Sequence, residues 1–336
     1  MMVYVCILLF VFMLLMPFFP GWLEIRNKRD NTKLAIDTKY VREPRYFARS
    51  FRKKLMGDTQ GFFGDNVPKE IFLSKEEKVI CADSQLAKPV SLDCVCFFSK
   101  PAKMLSGSSC KKEVYALENL SVGDNSLLRA AACEKNCVLG RSSRVVRWID
   151  AEEELKLEAG CRIDMTATAG KILRVSQGCT FKRLYAPAIY IEADDGCALP
   201  ADSKYGLESV APRKIFRGKD KLEAHETLEG DVVVQQDLHM DTDSHIVGSV
   251  KSEHDVELAA GSIVCGNVFA EGDVLLRTGA KIMGTIFSQG KIVMEDQCAV
   301  GTPGKICSVI ARKGIELGHG IKVYGYISTE ENGKVR

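Results

Sequence analysis

The chain has 336 residues, 46% of them hydrophobic, which is enough to bury a large core. Its 46 Lys and Arg balance 44 Asp and Glu to a net charge of +2, so a globally basic nucleic-acid binder and a strongly acidic, solvated chain are both excluded. Thirteen cysteines, an odd number with no even framework, fit a reducing compartment better than a disulfide scaffold.

Val3 to Leu23 is an apolar run rich in Leu, Phe, Val and Met, with no charge before Glu24. Some 20 such residues span a bilayer core at about 1.5 Å per residue. Residues 1–25 are therefore expected to form a transmembrane anchor. No Lys or Arg precedes the run, whereas residues 26–54 hold 11 Lys or Arg against Asp30, Asp37 and Glu43. That asymmetry places the amino terminus outside and everything after the helix in the cytoplasm, as in a single-pass membrane protein. The basic juxtamembrane segment, residues 26–56, is expected to meet anionic headgroups, first through Arg26, Lys28 and Arg29. Tyr40, Tyr46, Phe47 and Phe51 interleave the charges, a pattern that also suits nucleic acid. Proximity to the bilayer favours lipid, and no nucleic-acid partner is expected. The stretch from Arg45 to Leu55 has the pattern of a short interfacial amphipathic helix.

Residues 57–112 form a small mixed region with no legible role. Beyond them an 18-residue period appears, written in cysteine: Gly160-Cys161, Gly178-Cys179 and Gly196-Cys197. Cysteine here reads as a small buried hydrophobe in a stacked ladder. A first β-solenoid block is expected over 113–198, although 114–150 keeps no clean register. Residues 199–227, polar and broken by Pro200 and Pro212, read as a linker or a loop-out.

The period is clearest over 228–328. Asp255 to Val268 is repeated as Asp273 to Ile286, and the pattern returns from Glu316 to Ile327 after an irregular turn at Thr302-Pro-Gly-Lys305. Apolar residues fall on a six-residue grid of Leu258, Val264, Ala270, Leu276 and Ile282. A second grid holds Ser262, Val268, Val274, Ala280 and Ile286. Three hexads per coil predict an all-β fold, a three-sided parallel β-solenoid with about 18 residues per turn. Gly266, Gly284 and Gly325 suit its corners, where the backbone needs φ > 0 or a close approach. A β-sandwich would not keep this register. The last coil ends at Ile327 with a short polar tail, 329–336. An uncapped coil exposes strand edges and apolar cross-section, so Val323, Tyr324, Tyr326 and Ile327 are expected to form a free, self-associating end.

The coils of residues 228–328 resemble the bactofilin family, the polymer-forming bacterial cytoskeletal proteins. The resemblance covers about a hundred residues and rests on Asp255–Val268, Asp273–Ile286 and Gly314–Ile327. It implies a right-handed parallel β-helix that assembles end to end without a nucleotide, attaches to the inner membrane and scaffolds envelope, cell-wall or shape-determining proteins. The chain departs from that family's small members by its apolar run and large amino-terminal half.

Catalytic signatures are thin. There is no phosphate-binding loop of the Gly-x-x-x-x-Gly-Lys-[Ser/Thr] type and no Gly-x-Ser-x-Gly elbow. His239, His245 and His254 alternate with Asp237, Asp241, Asp243 and Asp255, a set able to hold a divalent ion but read more simply as a polar edge. Cys94-x-Cys96 and Cys133-x-x-x-Cys137 lack zinc-knuckle spacing. No enzyme activity, cofactor or metal is expected. The alternatives are a hexapeptide-repeat acyltransferase, which uses similar coils, and a membrane-tethered binding module that does not polymerise.

Overall fold

The computed structural model describes residues 43–58, 70–72, 78–82, 91–192 and 214–336, with isolated positions between Tyr4 and Phe19. The chain divides into two units, 1–43 and 44–336. In the first, Tyr4, Val5, Leu9, Phe10, Phe12, Met13 and Phe19 are helical and exposed. Among the described residues no helix is long and apolar enough to cross a membrane. Most of the expected anchor, together with Arg26, Lys28 and Arg29, lies outside the described residues.

The second unit is a β-solenoid of about 12 turns at a spacing of about 18 residues. Every side of a coil pairs in parallel with the same side of the next. In the second block Val250, Val268 and Ile286 form one ladder, and Ile246, Val264, Ile282 and Val300 another. Both expected grids point inward: Leu258, Val264, Val268, Val274, Leu276, Ile282 and Ile286 are all buried. Coils stack at about 4.8 Å, so each inward side chain sits on its equivalent one turn away. After Val300 the repeat lengthens, because the turn at 301–306, held by a Thr302–Lys305 bridge, inserts five residues between Val300 and Val323.

One corner of each coil takes a left-handed conformation. In the first block this position is held by Gly107, Asn125, Ser142, Gly160 and Gly178, and in the second by His225, Asp243, Gly261, Gly279, Gln297 and Gly320. A small buried residue usually follows: Ser108, Ser126, Ser143, Cys161 and Cys179, then Ser244, Ser262, Ala280 and Cys298. The cysteines are structural members of this series. Burial pushes the Cys298 thiol up to about 12, which leaves it protonated and unreactive. Gly266 and Gly284 serve by close approach, since a Cβ on either would lie 2.5 Å from the carbonyl oxygen one coil below.

The domain boundaries differ from those expected. Ser91–Leu92, Val95–Phe98 and Ala102–Met104 pair in parallel with 109–122, so the first block takes in residues 91–112 of the presumed mixed region and begins well before residue 113. The early register was hidden because Asn125 and Ser142 replace glycine at the corner and one coil, from Ser126 to Ser143, is a residue short. The second block likewise starts before residue 228. Ile215–Arg217, Lys221–Leu222 and Thr227–Glu229 form its first coil. The tail is not a free end either, since the strand Ile321–Val335 continues through it.

Candidate functional site

Three features of the solenoid can carry interactions: the joint between the blocks, a helix clasped to the first block, and the first coil of the second block. The joint is built from the residues expected to be a free end. Thr180–Ile191, the last coil of the first block, runs antiparallel to Ile321–Val335 along all three sides. Phe181 faces Gly333, Leu184 faces Ile327 and Ile189 faces Val323. Val323, Tyr324 and Ile327 are buried and Tyr326 is half-buried. The expected assembly end is therefore already occupied by the same chain. The core runs through the joint without a break, because two exposed apolar cross-sections cover each other. Gly333 is required here, since a Cβ would lie 2.3 Å from the Phe181 ring. At the rim His319 Nδ1 lies 2.7 Å from Glu192 Oε2.

Charge placed at this joint therefore acts on the fold. Val323→Lys with Ile327→Lys would bury two unpaired cations there, at a cost of several kcal/mol. The double variant is expected to lose thermal stability, measured by far-UV circular dichroism. An unchanged melting curve would mean that the two blocks do not meet through these residues.

The helix Tyr46–Asp58 (α1) starts just after Pro44, a residue suited to a helix start. Arg45, Ala48, Arg52 and Leu55 share one face, joined by Phe51. That face covers an outward apolar patch of the first block formed by Val95, Phe97, Tyr115, Ala130, Ala132 and Trp148. The Phe51 ring lies 5.7 Å from Trp148 and 6.2 Å from Tyr115, centroid to centroid. At the centre is Asp150, 0% exposed. Arg45 Nε and Nη2 donate to its two oxygens at 2.7 and 2.8 Å, Arg52 Nη1 donates at 2.5 Å, and the Thr168 hydroxyl donates as well. Arg52 Nε also donates to Glu134 at 2.6 Å, as does the Tyr115 hydroxyl. Burial disfavours both guanidinium charges, but the Asp150, Glu152 and Glu134 carboxylates outweigh it and hold Arg45 and Arg52 above their ordinary values. Burial, then the bond to Glu134, pushes the Tyr115 hydroxyl up. The amphipathic helix read from 45–55 thus exists, but its apolar face meets the solenoid rather than lipid. Arg45 and Arg52 are internal ion-pair partners.

The sequence carried a signal for this contact. Leu127-Leu-Arg-Ala-Ala-Ala-Cys133 is nearly continuous in apolar residues, as expected of a strand covered on both faces.

The first coil of the second block, 215–229, differs from the joint. Among the described residues no strand pairs with its outer edge. A cavity of about 600 Å³ beside it is lined by Ile215, Arg217, Asp220, Val234 and Glu253, among others. The His and Asp residues of the neighbouring coils do not converge on a metal site. Asp237 and Asp255 each accept the backbone N–H one coil on, at 3.1 and 2.7 Å, and His239 Nδ1 lies 3.3 Å from Glu257 Oε2. Among the described residues no group of three or more His, Cys, Asp or Glu is placed to hold an ion. No family model, curated protein or solved structure matches the chain.

Proposed function

We propose that the chain is a membrane-tethered scaffold: a rigid double solenoid that self-associates through a coil end and organises envelope or cell-wall partners near the inner membrane. The observation that carries this reading is the asymmetry of the ends. The last coil of each block is sealed within the chain, whereas the coil 215–229 is paired along one edge only among the described residues. A parallel coil with an unpaired edge is a template for another strand. The likeness of 228–328 to bactofilins supports the assembly part of the reading, and the apolar run with its basic flank supports the tether. A second reading, a tethered binding module that does not polymerise, is favoured by the sealed joint, which takes up the last coil of both blocks within one chain.

Electron microscopy and sedimentation of the full chain in detergent, without nucleotide, separate these readings. Concentration-dependent assemblies that vanish in Leu222→Lys support the scaffold. A monomer at all concentrations supports the binding module, and discrete trimers support an acyltransferase-like architecture. For the tether, deleting residues 1–24 is expected to move most of the protein into the soluble fraction. Retention on membranes in high salt would assign anchoring to another segment.

A further inference from the structure

The described exposed apolar side chains of the first block are not scattered. Leu127, Val146 and Met165 are 41%, 38% and 48% exposed, and all three lie on one flank. Leu127 belongs to an outward row that continues through Arg144, Arg162 and Thr180 to Lys334 across the joint. Val146 and Met165 sit at the adjoining corner, where the paired strands shift register. The same corner presents Lys112, Arg147 and Lys182 on every second coil, with Arg183 beside the last of them. Among the described residues these four cations have no carboxylate partner, whereas Asp164 is held between Arg144 and Arg162. A cavity of about 370 Å³ opens on this flank at the joint, lined by Arg162, Lys182, Lys334, Thr180, Asn332 and Asp164.

The geometry points to this flank as a surface that lies on an anionic lipid bilayer, with Leu127, Val146 and Met165 dipping among headgroups and the cations meeting phosphates. The inference rests on the membrane-tether reading, which would hold the flank close to the bilayer. Two observations select lipid over other polyanions. The exposed apolar residues are aliphatic, whereas single-stranded nucleic acid needs aromatic stacking platforms. Unpaired cations interleaved with exposed methyl and methylene groups combine the two forces that hold peripheral surfaces on anionic membranes. The flank is formed by rigid stacked coils, so all its groups reach the surface together. Docking would lay the double solenoid along the membrane instead of letting it hang from its tether.

The test uses the full chain carrying Met165→Trp as reporter. It is mixed with vesicles of phosphatidylcholine alone or with phosphatidylglycerol added, both containing brominated chains that quench tryptophan. Relative to the unsubstituted chain, extra quenching is expected only with phosphatidylglycerol and should fade at high salt. Arg147→Glu, Lys182→Glu and Arg183→Glu together should weaken the phosphatidylglycerol-dependent contact on the order of a hundredfold. An unchanged melting curve establishes that the fold is kept. Equal quenching on both lipids, or quenching indifferent to the charge reversal, overturns the proposal. Retardation of single-stranded RNA that the reversal abolishes, with no lipid effect, also overturns it and reassigns the flank to nucleic acid. Failure to float with phosphatidylcholine vesicles sinks the tether reading alone. The flank would then still have to drive flotation with phosphatidylglycerol, lost on charge reversal.

Discussion

Asp150→Ala is expected to release α1 from the solenoid and to destabilise the first block by about 3–5 kcal/mol, the usual cost of removing one partner from a buried ion cluster. Asp150 is fully buried and bonded by Arg45, Arg52 and Thr168. Without it, two guanidinium groups remain beneath the helix with only Glu152 and Glu134, both partly exposed, to balance them. Hydrating them requires the helix to lift, and lifting uncovers Trp148, Tyr115 and Phe97. The measurement is tryptophan fluorescence alongside a thermal melt. Trp148 emission should shift to the red, and the stretch 45–58 should become a site of proteolysis. Arg45→Met with Arg52→Met in the Asp150→Ala background removes the stranded charges and should recover much of the loss, because an apolar replacement of a whole buried cluster is frequently neutral. A single variant whose emission and melting temperature match the parent would show that the apolar face alone holds the helix.

The solenoid was legible in sequence wherever corners are glycine and coils keep 18 residues. Gly261 and Gly279, both at φ of about +73 or +74, mark the second block, and the inward ladders read from them are buried without exception. Legibility failed where the same corner is filled by Asn125, Ser142, His225 or Asp243, which adopt the left-handed region but do not advertise it. That hides Ile215–Leu222 directly, and it leaves Gly107, the corner after Ser91–Met104, with no glycine in register on the next two coils. The joint was illegible for a different reason. Periodicity reports which coil stacks on which neighbour in sequence. It contains nothing about two coil ends more than a hundred residues apart that meet in antiparallel. The clasp was half legible. The apolar face of 45–55 was visible, but the basic sequence context pointed to lipid, and the buried partner, Asp150, lies outside any recognisable pattern.

Ile282→Asp is the sharpest test of the stacked core. Ile282 is 1% exposed and lies in register between Val264 below and Val300 above. Aspartate there would place a carboxylate in an apolar column with no cation among its inward neighbours, at a cost of several kcal/mol. Whole domains are stable by only about 5–15 kcal/mol, and coils are held mainly by their immediate neighbours. The loss should therefore spread from the middle of the second block toward the joint. A lower first melting transition, with β signal lost in chemical denaturation, is the expected result. Lys281→Glu supplies the control. Lys281 precedes Ile282 in the same strand and faces outward, so its reversal should change stability by no more than about 0.5 kcal/mol, as for most surface substitutions. If both variants melted alike, the alternation of inward and outward residues along this strand would be wrong, and the register built on it would fall. If Ile282→Asp alone failed while the first block kept its transition, the joint would be shown to separate two units that fold with partial independence. That outcome would also identify the antiparallel contact, rather than the coils themselves, as the weakest link of the double solenoid.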